Sequence, residues 1–169
     1  MSQSIPIEIH RILVSPEHIY KNHHGRAPGD TPMIELETVQ CIAEKGLVGD
    51  RFVGDEDGHK RQVTFFDLEV HRDLCRQFPE ATVGSEVYRR NVVIEGVDLN
   101  PLIGRRFRIG DVVFTGAEEC APCYWMNTAF GPGAEESLKG RGGLRARILK
   151  SGTLALGRHG MIVDPEESD

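Results

Sequence analysis

A chain of 169 residues can bury one sizeable core and is too short for two ordinary domains, so a single domain over residues 1–169 is expected. Its 39% hydrophobic and 27% charged residues exclude a disordered chain, and no apolar run is long enough for a membrane-crossing helix. The formal net charge of −6 argues against non-specific nucleic-acid binding, which needs a basic surface to displace counterions from phosphates. The N-terminal MSQSIPIEIHRILVS lacks the charged start, apolar stretch and cleavage site of a secretory signal, so a cytoplasmic protein with no membrane partner is expected.

In chain order, IPIEIHRILV (5–14) and MIELETVQCI (33–42) carry β-branched residues, in part alternating with polar ones, and read as strands. Between them HIYKNHHGRAPGDTP (18–32) is the longest irregular stretch. Its His18, His23 and His24 have no carboxylate or cysteine at ligand spacing, and a polar loop accounts for them. RQVTFF (61–66) is a further strand. DLEVHRDLCRQF (67–78) predicts a helix, with Asp67 as cap, Leu68, Leu74, Cys75 and Phe78 roughly on one face, and Pro79 past its end. Strands NVVIEG (91–96) and RFRIGDVVFTG (106–116) follow, the second turning at Ile109-Gly110-Asp111. A helical turn is expected from Pro122, and GAEESLK (133–139) is a short helix with acids in its first turn and Lys139 in its last. LRARIL (144–149), a hairpin turn at Ser151-Gly152 and GMIV (160–163) complete the pattern. Short strands at this spacing predict a mainly β fold with a few short helices, a barrel or a sandwich.

Basic residues gather in GHKRQ (58–62), YRRN (88–91), GRRFR (104–108) and GRGGLRAR (140–147). Solvated strand ends explain any one cluster; brought together in space, they would form a pocket for a small anion. Of the four cysteines, Cys41 and Cys75 fall on apolar positions and read as core. The segment ECAPCYWMNTAFGPG (119–133) holds the other two, in a Cys120-Ala-Pro-Cys123 spacing. A structural zinc site would need a second such knuckle, which the sequence lacks. A dithiol redox centre fits the spacing without the usual βαβ setting. The third reading is one working thiol, Cys123, on a rigid Pro-Cys turn, its thiolate favoured by the N-terminus of the helix that starts near Pro122. Trp125 and Met126 would form its packing wall.

Taken in order, GLVGDR (46–51), RQVTFF (61–66), RRNVVIEG (89–96), LIGRRFRIGDVVFTG (102–116), PCYWMN (122–127) and GRGGLRARIL (140–149) resemble the MOSC domain, which is related to the C-terminal domain of molybdenum cofactor sulfurases. The resemblance covers the chain from residue 46 to 163 and, more weakly, the N-terminus. It implies a MOSC-type β-barrel. It also implies that Cys123, the cysteine after Pro122, carries sulfur as a persulfide. In reductases similar to the mitochondrial amidoxime-reducing component, that thiol instead ligates molybdenum in a pterin cofactor, and N-oxygenated small molecules are reduced. Many members have an arginine three residues before this cysteine; here Cys120 stands there, a candidate resolving thiol. Members often end the last hairpin in Gly-Asp, where this chain has Gly157-Arg158. No ferredoxin-like cysteine cluster is present, so a separate electron donor or sulfur donor protein is implied.

On this reading Cys123 is the catalytic residue and the molybdenum ligand. Arg90, Arg141 and Arg145 are expected to grip the cofactor phosphate, because a planar guanidinium binds it in bidentate fashion. The GRGG glycines would let backbone N–H groups approach it. Asn91 would cap a turn or bond the pterin edge. Asp50 and Arg51 match the family's Gly-Asp motif, or are an exposed ion pair. His59, Arg61 and Gln62 would help line the site, or are strand-edge residues. Two other readings stay open: a noncatalytic module for an anionic pterin or another small ligand, and a Cys120/Cys123 dithiol redox protein.

Overall fold

The computed structural model describes residues 3–16, 33–54 and 57–166; His18, His23 and His24 lie outside the described residues. The chain runs through β1 (Gln3–Val14), β2 (Ile34–Leu36), β3 (Thr38–Ile42), β4 (Gly46–Leu47), β5 (Val63–Asp67) and α1 (Leu68–Gln77). It continues through β6 (Val92–Glu95), β7 (Arg106–Ile109), β8 (Val112–Glu119), α2 (Trp125–Ala129), α3 (Ala134–Leu138), β9 (Leu144–Lys150), β10 (Gly152–Ala155) and β11 (Gly157–Val163). Seven strands follow the order β11-β7-β8-β9-β5-β6-β1, and β1 pairs with β11 to close a barrel. The mainly β barrel expected from the sequence is the fold that forms. No described helix is long and apolar enough to cross a membrane.

All barrel pairings are antiparallel except β5 with β6. A parallel pair needs a crossover, and α1 with the 3-10 turn Ser85–Tyr88 supplies it. The helix starts where the sequence predicts: the Asp67 side chain accepts from Glu69 N–H, and the Phe78 N–H closes the last turn on Leu74. The segment expected as one strand over 33–42 breaks at Glu37. Its first part, β2, joins β1, while β3 joins a second, three-stranded sheet, β10-β3-β4. Gly110-Asp111 makes the expected hairpin between β7 and β8. Ser151-Gly152 does not make one, because β10 leaves the barrel to pair with β3.

The long strand β1 shows how the pattern is read by the fold. Ile7, Ile9 and Ile12 are buried, so two consecutive residues, His10 and Arg11, stand between inward positions. Strict alternation would turn Arg11 into the core. Instead the register with β6 slips between Ile9 and Arg11, a β-bulge that keeps both polar side chains outside. Arg11 then forms ion pairs with Glu35 and Glu86, and His10 Nε2 lies 2.9 Å from Glu8 and 3.6 Å from Glu95.

Two cores result. The barrel interior packs Phe65 edge-on to Phe107 and Phe114, at centroid separations of 5.7 and 5.3 Å, among aliphatic residues of every barrel strand. Outside the barrel, Phe66, Leu74, Tyr88, Met126, Phe130, Ala134 and Leu138 join α1, α2 and α3 to the outer face of β5. Adjacent phenylalanines therefore serve opposite faces, as the period of two in a strand requires. Cys41 is fully buried, and desolvation pushes its thiol up to about 12, which fits the core role expected for it. Cys75 packs against the outer core at its edge, half-buried, with its sulfur 3.6 Å from His71 Nε2.

Candidate functional site

The outer face of β5 and β9, between the two cores, forms the floor of a cavity of about 250 Å³. Strand alternation sends Thr64 and Phe66 of β5 and Arg145 of β9 to this face, and Thr64 and Arg145 are directly opposed partners. Pro122 and Cys123 form one wall, and Arg51, Phe52, Arg61, Arg89 and Arg90 contribute to the others. Three of the four basic clusters thus converge. GRRFR does not: Arg105 and Arg106 pair with Glu166 and Asp164 elsewhere.

Arg89 and Arg90 are neighbours, yet both reach the cavity. The backbone of Arg89 is left-handed, with φ 57°, which breaks the alternation that would otherwise send one of them away. Arg89 is buried and donates to the Ser15 hydroxyl. Arg51 lies 3.5 Å from Asp50 and stacks 4.5 Å over the Phe52 ring, and Arg61 approaches the same ring at 5.7 Å. Arg145 pairs with Glu118 at 2.8 Å, which holds that carboxyl below the usual range. The wall is strongly positive and suits an anion.

Arg90 was expected to grip a phosphate; the structure ties it to the protein's own backbone. Its Nε donates to Gly142 O at 3.0 Å, Nη1 to Tyr88 O at 3.1 Å and Nη2 to Ala121 O at 3.3 Å. It therefore clamps the loop that carries Cys123. The GRGG glycines serve the same loop: a Cβ on Gly142 would sit 2.1 Å from Cys120 O, and one on Gly143 2.5 Å from Phe65 O. Close approach of two backbones, rather than of a ligand, requires these glycines. The Cys120 N–H donates to Gly143 O at 2.8 Å, and Cys120 is sealed at 1% exposure, while Cys123 is half-buried in the cavity wall. The two thiols of the Cys-x-x-Cys pair thus have different surroundings. Gly142→Ala should lower stability by about 1–3 kcal/mol, as over-packing does, and slow alkylation of Cys123 relative to Cys75. Mass spectrometry of the alkylated protein reads the second effect.

The other expected ligands lie beneath the cavity or away from it. Asn91 is buried and fully engaged: its Oδ1 accepts from the Thr64 N–H and hydroxyl at 3.0 Å each, and its Nδ2 donates to Leu13 O at 3.0 Å and Asp50 Oδ1 at 3.3 Å. No group is left for a pterin edge. Asp50, 3% exposed, accepts from the Ser15 N–H at 3.0 Å, and its second oxygen has no hydrogen-bond partner among the described residues. It is neither exposed nor in the wall; it counters Arg51 from below. Gln62 is buried too, donating to His59 O at 2.9 Å and accepting the Ile148 N–H at 2.7 Å, so it completes the sheet. His59 turns to the Lys45 carbonyl. Arg141 leaves the site altogether, pairing with Asp73 at 2.7 Å and bonding Ser137. Helix α2 begins at Trp125, two residues past Cys123, and has five residues, so the positive field at the thiol comes from the arginines rather than from a helix end.

The floor was not legible beforehand. Phe66, Tyr88, Met126 and Leu138 line it as part of the outer core, with Tyr88 stacked on Phe66 at 3.8 Å. Met126 is the packing wall expected for it.

Comparison with known proteins agrees with this architecture. The YUAD protein from Bacillus subtilis superposes with a TM-score of 0.72 over 98% of this chain and 100% of its own, at 13% identity. YiiM from Escherichia coli gives 0.66 over 99% of this chain and 72% of its own, at 18% identity. YiiM from Geobacillus stearothermophilus gives 0.66 over 94% and 75%, at 15% identity. At these identities the likeness concerns the fold. No curated protein matches the sequence. The model of the MOSC domain matches residues 22–161, most of the length and all of the motifs around the cavity. The chain belongs to the MOSC domain family.

Proposed function

We propose that the cavity holds an anionic pterin cofactor of the molybdopterin class, with Cys123 as the protein's ligand to molybdenum. The observation that carries this is a half-buried thiol lining the same cavity as five arginines. The donor set fits the group. A thiolate is a soft ligand of the kind that the metal prefers, and a single one is enough when the pterin brings two sulfurs of its own. Arg61, whose guanidinium has no carboxylate partner among the described residues, and Arg145 would meet the phosphate, while Arg90 and Gly142 hold the Cys123 loop still. The family's association with molybdenum cofactor ligands supports the same reading.

When bound, such a cofactor supplies oxygen-atom exchange with a small molecule. The reaction favoured is reduction of an N-oxygenated compound: two electrons from a separate reductase and two protons remove the oxygen as water. The chain's own contribution is orientation of the thiol, charge for the phosphate and exclusion of water by the apolar floor. A second reading, favoured by the same thiol in the cavity wall, is sulfur carriage. Cys123 would attack a donor persulfide, taking its outer sulfur and releasing the donor as a thiol.

Elemental analysis decides among these. Protein from a host that makes the cofactor is expected to carry molybdenum and phosphate-bearing pterin near stoichiometry. Absence of both, with cyanide-labile sulfur on Cys123, would replace the cofactor reading by the carrier.

A further inference from the structure

The cavity wall has an unusual shortage of proton donors. Its charged residues, among those described, are all arginines, and a guanidinium is a poor acid. Among the described residues, no carboxylate, imidazole or lysine is in the wall. Beyond the guanidiniums, only the thiol of Cys123 and the hydroxyls of Thr64 and Tyr88 carry an exchangeable side-chain proton among the described lining residues. Thr64 is held by Asn91, and Cys123 loses its proton on binding a metal.

Tyr88 is different because it leads out of the cavity. Its hydroxyl lies 2.7 Å from His71 Nδ1, and His71 Nε2 lies 3.6 Å from the Cys75 sulfur, one helical turn further along α1. His71 and Cys75 are half-buried on that helix, so the row runs from the protein surface to the cavity floor. We propose that Tyr88 delivers a proton to the oxygen that departs from a substrate in the cavity, and that His71 replaces the proton on Tyr88. The inference rests on the reductase reading above and goes beyond it.

The hydrogen bonds allow the transfer in one tautomer. With Nδ1 protonated, His71 donates to the Tyr88 oxygen, which leaves the Tyr88 proton uncommitted to His71 and available to an oxygen bound in the cavity that Tyr88 lines. His71 Nε2 then accepts from the Cys75 thiol. As the Tyr88 proton moves to the departing oxygen, the phenol oxygen takes the Nδ1 proton, and Nε2 is reprotonated through Cys75 from solvent. One of the two protons in the released water arrives this way, and the electrons come from the separate reductase. The protonation states agree. Burial pushes the Tyr88 phenol up, so it rests protonated, and burial lowers His71, so it rests neutral and can cycle. The charged neighbours are Glu86, which raises His71, Arg11, which lowers it, and Arg141, which acts on Tyr88. Phe66 and Phe130 supply the apolar packing around the pair.

Two measurements test this. In metal-free protein, nitrogen NMR of His71 during titration with orthophosphate should show a shifted tautomer balance as the anion meets the Tyr88 hydroxyl. Tyr88→Phe should abolish that response while phosphate still binds; a purely through-space effect of the phosphate charge would survive the substitution and overturn the relay. In molybdenum-loaded protein, Tyr88→Phe should slow single-turnover reduction of an N-hydroxy amine about 10²-fold at unchanged metal content and KM, and His71→Gln should flatten the pH profile. A wild-type rate and pH profile in Tyr88→Phe overturns the proposal. If wild-type protein carries neither metal nor pterin, the cofactor reading fails on its own, and the NMR experiment alone decides whether the pair senses an anion in the cavity.

Discussion

Replacing Cys123 with alanine is expected to reduce bound molybdenum from near stoichiometric to background, and turnover with it, while leaving the fold intact. The side chain is half-buried in the cavity wall, and the local turn is held by backbone contacts that alanine keeps: the Met126 N–H donates to the Cys123 carbonyl at 3.0 Å, and Arg90 grips Ala121 O. The stability change should therefore stay within about 0.5 kcal/mol, as for surface substitutions that break no special feature. The arginines remain, so orthophosphate should bind the variant as it binds the wild type. The pattern that would defeat the claim is the reverse one. If Cys123→Ala keeps the cofactor and cellular function, and Arg145→Ala or Arg61→Ala loses them, the protein is a binding module. The dithiol alternative predicts loss of two alkylatable thiols on mild oxidation, and loss of activity in Cys120→Ser. With Cys120 sealed against Gly143 and Cys123 in the cavity wall, we expect oxidation to leave Cys120 reduced.

The largest stability effect is expected at Asn91. Alanine there removes the acceptor for the Thr64 N–H and hydroxyl and the donor to Leu13 O and Asp50 Oδ1, all in a buried setting. An orphaned buried polar group costs about 1–3 kcal/mol, so the sum should reach roughly 3–5 kcal/mol after partial relaxation. Urea denaturation should show a lower midpoint at unchanged slope. The functional consequence follows from position: Asn91 joins β1, β5 and β6 directly under Thr64, and it shares Asp50 with Arg51. Asn91→Ala should thus weaken phosphate binding in the cavity although Asn91 never touches it. A loss under about 1 kcal/mol would mean that a water takes over the amide's hydrogen bonds.

These two residues show how differently site positions can be read. Cys123 was legible because a thiol after proline in a motif has few structural uses. Asn91, Asp50 and Gln62 were singled out by their place in the same motifs, but a polar residue at a strand start looks alike whether it faces a ligand or the interior. Only the partners distinguish the cases, and those lie 27 to 41 residues away for Asn91's bonds to Thr64 and Asp50, and 86 for Gln62's bond to Ile148. Arg141 and Arg145 illustrate the point within one segment. Arg145 lies on β9 opposite Thr64 and faces the cavity; Arg141 precedes the strand and is captured by Asp73 of α1.

The amino-acid order alone determined the local elements with strong signals. The β-branched runs became barrel strands, Asp67 capped α1, and Gly110-Asp111 turned the β7–β8 hairpin. It also determined that a thiol and an excess of arginines would accompany the family's motifs. Weak segments escaped it: β4 and β10 are short and contain glycine, and their pairing with β3 depends on chain that arrives from far away. Tertiary structure decided which face each side chain took. A bulge at His10 and a left-handed residue at Arg89 each shift the parity of a period-two pattern, and such a shift reverses every direction inferred beyond it. It likewise decided that Arg90 and the GRGG glycines hold the thiol loop, and that Tyr88 joins the cavity to an imidazole on α1, because hydrogen-bond partners are chosen by proximity in space and not along the chain.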